Sequence, residues 1–243
     1  MAILMPALQR ARKQTRAVAC LSNLRHWGFI FNMYTDDNDH KFYGAWSTSQ
    51  QGHVWIGALK PYYQDEDINF CPSASKPNAD NGLWGEAFEA YGVFPADDGR
   101  YGYAGLAGSY GINGYCLIPN GVDTYESGVA VSQGWKTAGE RGAGNVPWFS
   151  EALRFDLWPV STDAPAASEF AAWSGNLMAR TCINRHQGFE NVAFLDFSVR
   201  RVGLKELWTL KWHKSFDING PWTQAGGVVG SDWPDWIRRF QDY

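Results

Sequence analysis

The sequence predicts an α+β fold in which one long N-terminal helix packs on an antiparallel β-sheet, and three observations predict it. Cys20, Leu24, Trp27, Phe31 and Tyr34 recur at spacings of four, three, four and three, the period of one helix face. From residue 40 onward that period vanishes, and short apolar runs alternate with Gly, Pro and Asn. Thirteen Trp, 11 Tyr and 14 Phe stand beside 26 Gly in 243 residues, a mixture suited to short strands and irregular loops pinned by large rings. With 45% hydrophobic and 19% charged residues the chain buries a core, which excludes a disordered linker. A net charge of -4 supplies no basic field, so nucleic acid is not an expected partner.

The helix is expected over residues 2 to about 35. Pro6 falls near its start, where it either begins the helix or kinks it. Asp36, Asp37, Asn38 and Asp39 then stop it, because short polar side chains favour turns. Residues 1–40 thus form the helical part and residues 41–243 a β-rich head. Within the head, Lys41 to Trp46, Val54 to Leu59, Ile68 to Cys71 and Ser109 to Ile118 read as strands and short turns. Stretches 72–108 and 119–182 hold much of the Gly and Pro and read as long ordered loops laid over the sheet. Asn191 to Leu195 and Val199 to Val202 flank Asp196, Phe197 and Ser198 as a hairpin. Leu204, Leu207, Trp208 and Trp212 suit one short helix, and Trp233, Trp236, Ile237 and Phe240 another, with Pro234 in its first turn.

Met1 to Leu8 are apolar but far short of the ~20 residues that span a bilayer. Arg10, Arg12, Lys13 and Arg16 follow at once, a pattern shared by solvated helix faces and by helices leaving lipid for the headgroup layer. Cys20, Cys71, Cys116 and Cys182 show no C-x-x-C spacing, so a zinc ribbon and a thioredoxin motif are unsupported. Four cysteines allow three pairings. Cys20 with Cys71 and Cys116 with Cys182 is the pairing expected in an oxidising compartment, and four buried thiols the alternative in a reducing one.

Few residues suggest chemistry. Asp36, Asp37 and Asp39 offer hard oxygen ligands in one turn and are candidates for calcium, with Asp97 and Asp98 a second place to look, although the Gly and Glu of an EF-hand loop are missing. Cys182 and His186 stand four apart, as a thiolate and its base could, and His186, Glu190 and Asp196 could form an acid/base group. A histidine anchoring a loop is the commoner arrangement. Exposed indoles stack on sugar rings, which makes Trp84, Trp135 and Trp173, together with Trp46 and Trp55, candidates for a glycan platform; core packing is the commoner duty. Common nucleotide-binding, zinc-protease and hydrolase signatures are absent from the sequence.

The segment Met1 to Arg12, followed by Cys20-Leu-Ser-Asn-Leu-Arg25, resembles the back half of a type IV pilin-like N-terminal helix as found in type II secretion pseudopilins. It is most similar to the planctomycete-type group that carries a prepilin cleavage and methylation signal. Later landmarks follow in order along the whole chain: Leu59-Lys60-Pro61-Tyr62, Cys71-Pro72-Ser73, Ser109-Tyr110-Gly111-Ile112-Asn113, and His186 separated by nine residues from Asp196. The group's signature continues with Gly after the aspartate, where this chain has Phe197, and its leader and first half-helix have no counterpart here.

The resemblance implies a pilin-like fold and a non-catalytic filament subunit of a type II secretion pseudopilus or type IV pilus-like assembly, with His186 and Asp196 as a structural motif. Its implied partners are other pilin-like subunits and the secretion or pilus assembly machinery. Its implied location is the inner membrane, through the half-helix ahead of Met1, with a periplasmic or extracellular head; the chain as given is expected to be soluble. The alternative is a secreted or surface carbohydrate-binding module, binding polysaccharide on the same scaffold. No cofactor is expected beyond the candidate calcium.

Overall fold

The computed structural model describes residues 4–44, 54–78, 84–92, 105–119, 121–170, 173 and 175–243. Helix α1 runs unbroken over Leu4–Asp37. Pro6 sits in its first turn, where no intrahelical partner is needed for the missing N–H. The helix stops two residues beyond Thr35, and Asp39 and His40 take positive φ (55° and 57°) to turn the chain back. Asp36 and Asp37 therefore belong to the last helical turn rather than to the turn that ends it.

A five-stranded sheet forms the head, from β1 (Tyr110–Asn113), β2 (Pro147–Glu151), β3 (Asp156–Leu157), β4 (Phe189–Phe194) and β5 (Val199–Gly203), in the order β3-β1-β2-β4-β5. The sheet is mixed, since β1 and β3 pair in parallel while every other pair is antiparallel. That corrects the antiparallel expectation. The cause is the short crossing of residues 152–155 over the end of β1, which lays β3 on its far side.

Helix α1 packs on β4, β5 and β2. Cys20, Leu24, Trp27 and Phe31 are fully buried, and Tyr34 packs on the core edge. β2 lies under the second half of the helix and is buried along its whole length. A register irregularity between Pro147 and Phe149 lets two consecutive rings face the same helix: Trp148 and Phe149 lie 4.8 and 5.7 Å from Phe31. Trp27 meets Trp55 edge-on at 4.6 Å and donates its indole N–H to the Ile68 carbonyl.

Regular elements are short elsewhere. Val54 to Leu59 is no strand; Trp55–Ala58 is one helical turn, α2, and Lys60–Tyr62 and Glu66–Asn69 are 3-10 turns. Indole N–H groups staple the loops between them. Trp55 donates to Phe155 O, Trp135 to Trp212 O, Trp208 to Asp163 O and Trp236 to Ala166 O, each replacing a ladder bond the irregular backbone lacks. Lys205–Thr209 is a 3-10 turn and Asp235–Arg238 a short helix, α3, with Pro234 as its N-cap. Trp208, Trp222 and Trp233 close a second aromatic cluster under these turns.

The hairpin β4–β5 is present as expected. Its turn places Phe197 at φ 65°, the left-handed position for which glycine is the default residue. Asp196 holds the turn by accepting the Ser198 N–H and hydroxyl at 3.0 and 2.6 Å, and the Phe197 ring lies 5.5 Å from Trp148.

Candidate functional site

Four side chains from four distant segments converge beside β2. Cys20 lies on the sheet-facing stripe of α1, at the first turn the head buries. Cys71 follows the 3-10 turn Glu66–Asn69, and its N–H donates to the Ser109 hydroxyl. Glu151 is the last residue of β2. His186 precedes β4, where Gln187 and Gly188 take φ of 60° and 92° to swing the chain into the strand. One ligand-type atom from each of the four lies within 4.8 Å of all the others, and all four residues are buried.

Local anchors fix each arm. Asn23 donates to Phe70 O, tying α1 to the segment that carries Cys71, and Asn191 donates to Ala17 O, tying it to β4. Arg185, beside His186, gives its guanidinium to the carbonyls of Ala87, Ser109, Glu86 and Ala152. One carboxylate oxygen of Glu151 accepts the Asn191 N–H at 3.2 Å. The other, Oε1, lies 3.0 Å from His186 Nε2 yet accepts no hydrogen bond of proper geometry. The same Nε2 lies 3.4 Å from Cys71 Sγ, so two acceptors approach one nitrogen.

Charge is unevenly shared among these groups. Burial pushes the Cys20 thiol well above its ordinary range, helped by its hydrogen bond to Cys71. Burial also opposes ionisation of Cys71, but the Cys20 thiol, His186 and Arg185 outweigh it and hold Cys71 below the usual thiol value. Glu151 is held low against its burial by His186 and Arg185, and His186 is carried up to about 10 against its own burial, chiefly by Glu151. The cluster thus pairs the Glu151 carboxylate with the His186 imidazolium, favours the thiolate at Cys71 and keeps Cys20 as a neutral thiol.

A groove of about 740 Å³ runs from His186 along α1, lined among others by Lys13, Arg16, Phe88, Phe170 and Arg239. Deeper in the head, Glu190 is fully buried and takes hydrogen bonds from Ser150, Thr181 and the Ile183 N–H; burial raises it well above the carboxylate range. It serves the core beside Cys182, whose thiol is raised by burial and by Glu190.

The remaining candidates are dispersed. All four cysteines are free thiols, so neither expected disulfide is formed; Cys20 and Cys71 are neighbours, whereas Cys116 lies near Tyr125 and Cys182 near Glu190. His186 and Asp196 do not meet, because the aspartate caps the hairpin turn while the histidine faces Cys71 and Glu151. The carboxylate of Glu190 is taken up by Ser150, Thr181 and the Ile183 N–H, and His186 by Cys71 and Glu151. Asp36 faces His40, Asp37 accepts the Tyr62 hydroxyl at 3.0 Å and Asp39 faces Lys41, so the three carboxylates diverge and form no metal-ligand cluster among the described residues. Asp97, Asp98 and Trp46 lie outside the described residues.

Trp135 and Trp55 are buried, which removes them from any glycan platform. Trp84 and Trp173 are half-buried and stack on each other at 4.2 Å, with Arg154 and Arg180 guanidiniums against the rings at 4.5 and 4.7 Å. Their faces are thus largely engaged by the protein itself. Arg180 is further held by Glu126 and Asp156.

Glu151 is the cluster member that sequence reasoning missed. It ends a strand buried on both faces, which leaves no alternation to read. Compared with known protein families, characterised proteins and solved structures, the chain matches none. Among the described residues no helix is long and apolar enough to cross a membrane.

Proposed function

We propose that this chain is a structural, non-catalytic subunit of a pilin-like filament, of the type II secretion pseudopilus or type IV pilus-like kind, in which α1 is the element that meets neighbouring subunits. The observation that carries the reading is the helix itself. Residues 5–16 of α1 are exposed all round, while Cys20, Leu24, Trp27 and Phe31 are wholly buried in the head. A helix half that buries nothing within its own chain is available to other chains.

The outer face supports this too. Leu8, Val18, Phe29 and Met33 are exposed and fall within about 80° of one another on the helix, from a turn of 3.6 residues. They mark a lengthwise apolar strip, interrupted by Thr15, Ser22 and His26. Head-to-tail contacts that do not close build filaments, and such a strip on every subunit supplies a repeated contact. Membrane attachment, in this reading, comes from apolar residues ahead of Met1, with Arg10, Arg12, Lys13 and Arg16 at the headgroup level.

The test is cysteine cross-linking in intact cells of the source organism. Leu8→Cys and Phe29→Cys subunits, paired across copies, give a ladder of multimers that Ile218→Cys on the head does not. Monomer alone from both helix positions, in cells that make the protein, refutes the reading.

A further inference from the structure

We propose that Cys20, Cys71, Glu151 and His186 bind one zinc ion that clamps α1 to the head. Three observations point there independently of the filament reading. First, two sulfurs, an imidazole nitrogen and a carboxylate oxygen lie within 4.8 Å of one another. Ligands of a tetrahedral zinc at about 2.0–2.3 Å stand roughly 3.3–3.8 Å apart, so closing the set on an ion needs only small side-chain movements. Second, Glu151 Oε1 is buried and lies 3.0 Å from Nε2 without a hydrogen bond of proper geometry, while Nε2 is also approached by Cys71 Sγ. A single N–H cannot satisfy both acceptors linearly, whereas an ion between them takes one lone pair from each. Third, the outer contacts are those a structural metal site needs. The second oxygen of Glu151 is oriented by the Asn191 N–H, and the Cys71 backbone is fixed by Ser109.

The donor types choose the metal. Thiolate and imidazole are soft or borderline ligands that select zinc over calcium or magnesium. Four protein donors with no open position describe a structural rather than a hydrolytic site. Zinc bound to two thiolates and a carboxylate carries one net negative charge, and the guanidinium of Arg185, held against Ser109 and Ala152 carbonyls, stands by to balance it. Binding releases the remaining thiol protons and the imidazolium proton to solvent. The ligands come from α1, the segment after Asn69, β2 and the approach to β4, so the ion ties together every layer of the head at the turn where the helix leaves it.

The experiment uses the full chain, purified under reducing conditions without chelator. Metal analysis should find one zinc per chain, and cobalt exchanged into the site should show thiolate-to-metal charge transfer with the visible bands of a tetrahedral ion. Cys71→Ser should weaken zinc binding by at least roughly 100-fold, the upper end of what an outer-shell change costs. Cys116→Ser, buried elsewhere, should leave it unchanged. If Cys71→Ser does not fold, the wild-type chain decides: a strong chelator should lower its Tm and added zinc restore it. Failure of the reduced wild-type chain to take up zinc or cobalt overturns the proposal, as does a Cys20–Cys71 disulfide in protein isolated from its native compartment. Zinc loading of a chain that never cross-links into multimers would leave the clamp standing and the filament reading refuted.

Discussion

Residues 5–16 and residues 20–35 of α1 belong to one continuous helix, yet they have opposite relations to the rest of the molecule. The first half touches water on every side, and the second buries Cys20, Leu24, Trp27, Gly28, Ile30, Phe31 and Thr35. Isolated helices of about 12 residues are marginal in water, so the first half owes its order to nucleation by the second, which tertiary packing stabilises. Helicity and stability are thus separate properties here, and one element holds both extremes.

Hydrogen exchange should show the largest contrast. Amides from Leu24 to Phe31 should exchange at least ~10³-fold more slowly than those from Arg10 to Arg16, since the former open only with the head and the latter fray locally. Equal protection in the two halves would break the comparison. Trp27→Ala, which removes a fully buried ring and its bond to Ile68, should cost about 3–5 kcal/mol in chemical denaturation.

Acid should loosen the second half through the head. His213 is buried against Tyr115 and Phe216, and burial, with Lys211 nearby, lowers it from 6.5 to about 4. The unfolded chain therefore binds a proton that the folded chain refuses between those values. Stability from this residue is full above pH 6.5 and falls as pH drops toward 4. His213→Phe should flatten that part of a Tm-against-pH curve, while helicity of residues 5–16 changes little by site-resolved NMR. An unchanged slope would show that other groups set the acid limit.

Gly28 sharpens the contrast in the other direction. It lies on the buried face of α1, but an added Cβ would meet no heavy atom within 4 Å. Gly28→Ala should therefore stabilise the protein by about 0.5–1 kcal/mol, because a helix-interior glycine loses more backbone freedom on folding. Leu8→Ala is the smallest case, within about 0.5 kcal/mol, as expected for an exposed position. A larger loss at Leu8 would mean that the first half packs on something within its own chain.

The same division explains what was legible in the sequence. α1 is readable because one face is buried, which writes a period into the residue order, and the β4–β5 hairpin because the polar turn Asp196–Ser198 parts two apolar runs, although β4 itself is buried along almost its whole length. β2 reads as loop because Pro147, Trp148, Phe149, Ser150 and Glu151 are all buried, so no alternation survives, and Pro147 opens the run with no turn signal following to set it off as a strand. For Val54 to Leu59 a short apolar run leaves strand and turn equally open, since Trp55 and Ile56 are buried in either, and the structure makes it one helical turn. In the cluster, Cys20, Cys71 and His186 each stood in a segment that carried the pilin-like resemblance. Their convergence was invisible, since the four side chains share no local spacing and Glu151 lies in the unread strand. Phe197 is a milder case, where a residue with no liking for positive φ keeps the turn through its ring contact with Trp148.

The sheet order also carries a kinetic consequence. The central strand β2 pairs with β1 across Ile112 and Phe149 and with β4 across Ser150 and Val192, so both of its ladders close long stretches of chain. Neither loop gains a contact until its entropy of closure has been met, and topologies of this kind fold slowly. The helix can form and melt again in microseconds, long before the sheet that stabilises it has closed. During that wait its apolar stripe, Leu24 to Phe31, is bare, so the interval between helix formation and sheet closure is when a chaperone or a neighbouring nascent chain would capture this protein.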